Sequence, residues 1–200
     1  MQIEGKVGLI SVSDGTVNPL ATDTDGALFV RNLPGKYTAA AMAGRLFSVA
    51  NQAAVATTTA LATTWTGLGV CNPTGSGKNL ILYEFGWAMT VVGSDDGAVG
   101  LMSASDTGMA DSLTAKCAMN GTGDSVAYCD AGATIGTPIL ERICGTIGTG
   151  ATTTQISVPQ SIYEIDGSII LPPGRSILTY TTTATTAGAI FYFLWEEVDA

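Results

Sequence analysis

The sequence predicts an all-β fold, a sandwich or a closed barrel. Short runs rich in Val, Ile, Thr and aromatic residues recur from about residue 46 onward. Several of them alternate in side-chain character with the two-residue period of a strand. Turn residues separate them, and at the Pro172-Pro173-Gly174 corner the chain must leave any hydrogen-bonded ladder.

Residues 1–43 read as an extended arm and residues 44–200 as the β domain. The arm holds two strand-like runs, VGLISV and ALFV, near the turn dipeptides Asp14-Gly15 and Asp25-Gly26. It has too few apolar residues to close a core of its own. It reads plainly as a frayed tail, or more sharply as an arm that adds strands to another subunit, through Val7, Leu9, Ile10, Val12, Leu28, Phe29 and Val30. A short helix is expected at Tyr37–Ala43, because Ala and Met favour helix and Gly44 ends it.

Strands follow at 46–50, 64–70, 80–92, 99–103, 125–128, 139–145, 155–158, 168–171, 175–182 and 189–198. In NLILYEFGWAM the alternation places Ile81, Tyr83, Phe85, Trp87 and Met89 on the core side. In AIFYFLWEEV both faces are apolar as far as Glu196 and Glu197, which marks a central strand. The expected core includes Leu46, Phe47, Trp65, Ile81, Phe85, Trp87, Leu171, Ile177, Phe191 and Phe193. Threonine runs such as TYTTTATTAG suit strands whose solvent face carries hydroxyls without charge. Asp106, Asp111, Asp124 and Asp130 fall in a loop-rich stretch and read as surface charge.

Composition excludes several functions. The chain is 46% apolar and only 12% charged, about half the usual ~25% share, so its surface suits contact with protein. Net charge is −9 with eight basic residues in no run, which argues against nucleic acid and anionic membranes. No apolar stretch reaches the ~20 residues that span a bilayer. The N-terminus lacks the apolar core of a signal peptide, so synthesis in the cytosol is expected.

Residues 73–78, PTGSGK, invite comparison with a phosphate-binding loop. That motif needs glycine five residues before Gly77, where Asn72 stands, and Ser or Thr after Lys78, where Asn79 stands. A strand pattern follows, not a helix whose N-terminus holds an anion. The stretch reads as a hairpin loop. With no histidine, every His-based triad is excluded. Paired carboxylates for glycoside hydrolysis would come from Glu84, Glu141, Glu164, Asp166, Glu196 and Glu197. The acidic turns TDTDGA and GSDDGA offer oxygens to calcium but lack the ligand count of an EF-hand loop. Four cysteines form no CxxC pair, so a zinc site is not expected. A Cys117–Cys129 disulfide is conceivable, and small buried thiols are the plain alternative. No catalytic residue, metal or cofactor is assigned.

Three stretches carry a resemblance. They are GRLFSVANQAAVATTTALATTWTGLGVCNPTGSGKNLILYEFGWAM, DGSIILPPGRSILTYTTTATTAGAIFYFLWEEV and, nearer the start, DGTVNPLATDTDGALFVRNLPGKY. Together they resemble the small capsid decoration, or cement, proteins of tailed bacteriophages, which have a jelly-roll fold. The resemblance spans residues 14–198 and is weakest across 104–165. It implies a jelly-roll β-sandwich with an N-terminal arm, no active site, and a homo-oligomer (dimer or trimer) on the outer capsid surface. The implied partner is the major capsid protein, and the implied role is to stabilise the head by bridging capsomers. The rival readings are a head-fibre or tail receptor-binding module for host glycans, and a glycoside hydrolase.

Overall fold

Nearly every segment that alternates in the sequence forms a strand, and ten of these strands pack as two sheets in a computed structural model. It describes residues 35–90, 97–105, 108–119, 124–147, 160–185 and 188–200, and the backbone of two short strands, β1 (Glu4–Lys6) and β2 (Val17–Pro19). The arm residues Val7, Leu9, Ile10, Val12, Leu28, Phe29 and Val30, the turn TDTDGA, most of GSDDGA and the strand expected at 155–158 lie outside the described residues.

A short helix, α1 (Thr38–Met42), precedes β3 (Leu46–Ala50), β4 (Thr64–Asn72), β5 (Lys78–Met89) and β6 (Gly97–Ser105). Then come β7 (Lys116–Cys117), β8 (Tyr128–Thr134), β9 (Ile139–Ile147), β10 (Gln160–Leu171), β11 (Arg175–Thr181) and β12 (Ala189–Asp199). The first sheet runs β10-β5-β12-β3-β7 and the second β8-β4-β11-β6-β9. Early strands pair with late ones in nested order: β3 with β12, β4 with β11, β5 with β10, and β6 with β9. A long antiparallel hairpin folded over in this way is the jelly roll, so the fold is an all-β jelly-roll sandwich.

The core lies between the sheets. Phe85, Phe191, Phe193, Trp195, Leu82 and Ile177 fill it, with Phe85 at 5.1 Å from Phe193 and 6.0 Å from Phe191 between ring centres. Burying each such side chain is worth roughly 1.5–3 kcal/mol. β12 is central, as expected, and sends Phe191, Phe193 and Trp195 inward.

The alternation predicted for β5 is corrected by a bulge. β12 pairs Leu194 with Glu84 and Trp195 with Leu82, so Tyr83 is the extra residue. Leu80 and Leu82 therefore point inward before the bulge, and Phe85, Trp87 and Met89 after it. Ile81 and Tyr83 are half-buried on the outer side, and Ile81 is not part of the core.

The stretch read as loop-rich does more than connect. It adds β7 beside β3 and β8 beside β4, and β8 begins at Tyr128, where the expected strand ended. Met109 and Ile135 from this stretch cover Trp65, Cys71, Met102 and Leu178 on the outer face of the second sheet. Asp130 is buried rather than a surface charge. Its carboxylate accepts from Ser112 Oγ at 2.6 Å and from the amides of Ala110, Ala131 and Gly132. That number of donors makes a buried carboxylate tolerable.

Some threonines also turn inward. Thr181 Oγ1 donates to Thr57 Oγ1 at 2.9 Å, and Thr57 meets Thr185 at 3.1 Å, tying the 51–63 segment to the sandwich.

Candidate functional site

Met109 and Ile135 cover part of the outer face of the second sheet, and the outer face of the first sheet is a broad surface of mixed character. Its polar end is built from α1, β5 and β12. Lys36 pairs with Asp166 at 2.6 Å, and the Tyr37 ring lies 4.8 Å from that of Tyr83. Residues 35–37 therefore meet the sandwich on this face. β1 and β2 pair only with each other, Glu4 opposite Pro19, and join neither large sheet.

The bulge turns Tyr83 outward, where its hydroxyl donates to Glu196 at 2.5 Å. Arg45 holds the other oxygen of Glu196 at 2.9 Å. Burial, and then this hydrogen bond to a carboxylate, push the Tyr83 phenol up to about 12. Tyr192 likewise donates to Glu84 at 2.9 Å, and burial raises its phenol too.

Farther along the same face the surface becomes apolar. Gly86 and Ala88 form the floor of a groove of about 470 Å³, with Ile162 on one side and Ile190 and Tyr192 on the other. Ile162 pairs with Gly86 and Ile170 with Ile81, so both project outward from the edge strand β10. They are 64% and 53% exposed. On β9, the neighbouring edge of the second sheet, Ile139 and Ile143 are 61% and 49% exposed. The two edges run side by side. Arg142 of β9 donates to Ser168 of β10 at 2.8 Å, and Gly145 of β9 sits directly over the Trp87 ring.

Both edges are irregular. β9 breaks register at two places against β6, and β10 breaks between Glu164 and Ile169, where Asp166 and Gly167 have positive φ. Such breaks oppose simple strand addition. Contact through the isoleucine side chains is left open.

The candidates for chemistry are placed as follows. The loop before β5 is a turn, with Gly75 and Gly77 at φ +82° and +69°, values that glycine adopts without strain. Asn72 organises it by donating to the carbonyls of Lys78 and Leu171 and accepting from Ser76. Lys78 itself pairs with Asp199 at 2.6 Å.

Glu84 and Glu164 are cross-strand partners, and Glu196 shares their face. Glu84 and Glu164 thus stand side by side on the outer sheet face, with Glu84 accepting from Tyr192, while the buried Glu196 holds Tyr83 and Arg45. Glu197 points the other way. It is buried and accepts from Ser125 Oγ, the Val126 amide and Trp195 Nε1. Glu141 accepts from Ser103 at 2.5 Å.

Cys117 and Cys129 are not bridged. Among the described residues no group of three His, Cys, Asp or Glu is arranged to hold a metal, and no helix is long and apolar enough to cross a membrane.

The sequence reading did not single out the outward isoleucines. QSIYEIDG carries the signal, because Ile162 lies on the Glu164 face while Tyr163 and Ile165 lie on the other. Comparisons with protein-family models, with curated proteins and with solved structures found no match to this chain.

Proposed function

We propose that this chain is a virion structural protein of a tailed bacteriophage, which decorates the outer capsid surface and stabilises the head by bridging capsomers. The observation that carries this reading is the pair of exposed isoleucines on the outer face of the first sheet, Ile162 and Ile170, beside a neighbouring edge strand, β9, that exposes Ile139 and Ile143. Exposed aliphatic side chains grouped in this way mark a surface for protein contact. The low surface charge supports it, and so does the resemblance to cement proteins.

A jelly roll hosts many activities, so fold alone decides nothing. The partner would be the major capsid protein, with the chain arriving as a homo-oligomer. Oligomerisation multiplies weak contacts into avidity. The arm, through Val7, Leu9, Ile10, Val12, Leu28, Phe29 and Val30, would reach a neighbouring subunit. An acidic exterior suits the outside of a head, away from packaged DNA.

The test mixes purified protein with undecorated heads of the parent phage. Saturable co-sedimentation and raised heat resistance of the heads are expected. Charged residues at Ile162 and Ile170 should weaken the binding, and deleting residues 1–35 should leave a folded domain that binds poorly. Heads that neither bind the protein nor gain heat resistance overturn the reading. A truncated protein that binds as tightly as the full chain overturns the role of the arm.

A further inference from the structure

Where β9 meets the corner between β10 and β11 lies a second cavity of about 250 Å³. Its polar lining is Arg142, Arg175, Glu141, Ser103 and Ser168, and its apolar wall includes Pro172 and Ile177. The charge distribution there is unusual for this protein. The whole chain has only eight basic residues against seventeen acidic ones, yet two arginines share this one cavity. Neither makes an ion pair among the described residues.

Arg142 is held in place. Its Nη1 donates to Ser168 Oγ at 2.8 Å and its Nη2 to the Ser168 carbonyl at 3.3 Å. The Ser168 hydroxyl is itself anchored on the Ile165 carbonyl. A guanidinium carries five N–H donors, so Arg142 keeps donors to spare. Arg175 is exposed and has no side-chain partner among the described residues. The one carboxylate in the lining, Glu141, accepts the Ser103 hydroxyl on Oε1 and leaves Oε2 open.

We propose that this cavity binds a small hydroxylated carboxylate, of which a uronic acid is the model. The guanidinium forks match a carboxylate in shape and charge. The free oxygen of Glu141 accepts an adjacent hydroxyl. Glu141 needs a neutral hydroxyl in front of it, and a phosphate dianion spreads its charge over the oxygens that would face Glu141, so a carboxylate with an adjacent hydroxyl suits the lining better. The volume lies just under the usual range of about 300–1,000 Å³ for small-molecule sites, which suits one sugar-sized group. The inference does not depend on the capsid reading.

The test titrates the full chain with galacturonate, and with galactose and inorganic phosphate for comparison, by calorimetry and amide chemical shifts. Saturable galacturonate binding that weakens with added salt is expected, with shifts centred on residues 139–143 and 168–175. Galactose and phosphate should bind more weakly. Arg175→Ala should lower galacturonate affinity roughly tenfold to a hundredfold, the loss of a charge-assisted hydrogen bond. Because Arg175 makes no side-chain bond, this variant should melt with the parent protein, which separates lost binding from lost folding. Absence of saturation overturns the proposal. So does phosphate or galactose binding as well as galacturonate, or an Arg175→Ala protein that binds unchanged.

Discussion

The ring of Tyr192 occupies the space that a side chain at Gly86 would fill. The two residues are register partners on β12 and β5, and a Cβ at position 86 would stand 1.9 Å from Tyr192 Cε1. Glycine at 86 thus lets the tyrosine lie flat across β5 and deliver its hydroxyl to Glu84.

Gly86→Ala should expel the Tyr192 ring and cost about 1–3 kcal/mol, the range for overpacking a well-filled site. Tyr192→Phe keeps the ring and loses only the hydroxyl, so about 0.5–1.5 kcal/mol is expected. Urea denaturation of both variants checks the order. A Gly86→Ala protein as stable as the parent would show that the ring does not need the space.

Thr179 serves two partners from the middle of the second sheet. Its hydroxyl accepts from the Leu68 amide at 3.1 Å, and its carbonyl accepts from Trp65 Nε1 at 2.8 Å. Thr179→Val preserves shape and leaves the Leu68 amide unpaired in the interior, at a cost of about 1–3 kcal/mol. Hydrogen exchange at Leu68 should accelerate while Trp65 fluorescence stays constant, since the indole bonds to the carbonyl. Thr179→Ser should recover most of the loss.

Glu197 ties the strand that closes the core to the segment leading into β8. Glu197→Ala leaves Ser125, the Val126 amide and the Trp195 indole without their acceptor. A loss of about 2–4 kcal/mol is expected, since each buried donor left unpaired costs about 1–3 kcal/mol and some will find water. Trp195 emission should shift. Unchanged emission together with unchanged stability would place the carboxylate outside this network.

Tyrosine ionisation should set the alkaline limit of the fold. The Tyr83 phenol is pushed from its ordinary value of 10.0 up to about 12, and that of Tyr192 is also raised. A raised folded value favours the neutral phenol in the native state. That stability is fully present below pH 10.0 and is lost as pH climbs toward about 12. Melting temperature should therefore hold up to about pH 10 and fall between there and about 12, in step with tyrosinate absorbance. Tyr83→Phe combined with Tyr192→Phe should flatten the decline, and an equally steep decline in that variant would assign the limit to other groups.

The thiols should be silent. Cys71 and Cys129 are buried, and burial pushes the Cys129 thiol up while Cys144 rises to about 11. Because the thiolate is the reactive form, alkylation of these three in the native protein at neutral pH should be slow. Reductant should leave the melting temperature unchanged. A drop on reduction would reveal a bridge.

The sequence by itself determined the β character, the turn before β5, the corner before β11, and the central position of the last strand. These follow from neighbours two residues apart, because a strand shows alternate side chains to opposite faces wherever it sits. The apolar run from Ala189 to Trp195 on both faces, and the Pro172-Pro173-Gly174 corner, needed nothing beyond the chain itself to be legible. Tertiary structure decided what local period cannot carry. The bulge at Tyr83 turns Ile81 and Tyr83 outward, and it exists because β12 lies alongside with Glu196 ready to accept the phenol from 113 residues away. Asp130 is buried because the 108–113 segment folds back to supply its donors. The exposed isoleucines come together because β9 and β10 end up at adjacent edges of the two sheets, an arrangement of distant segments that no single stretch of sequence encodes.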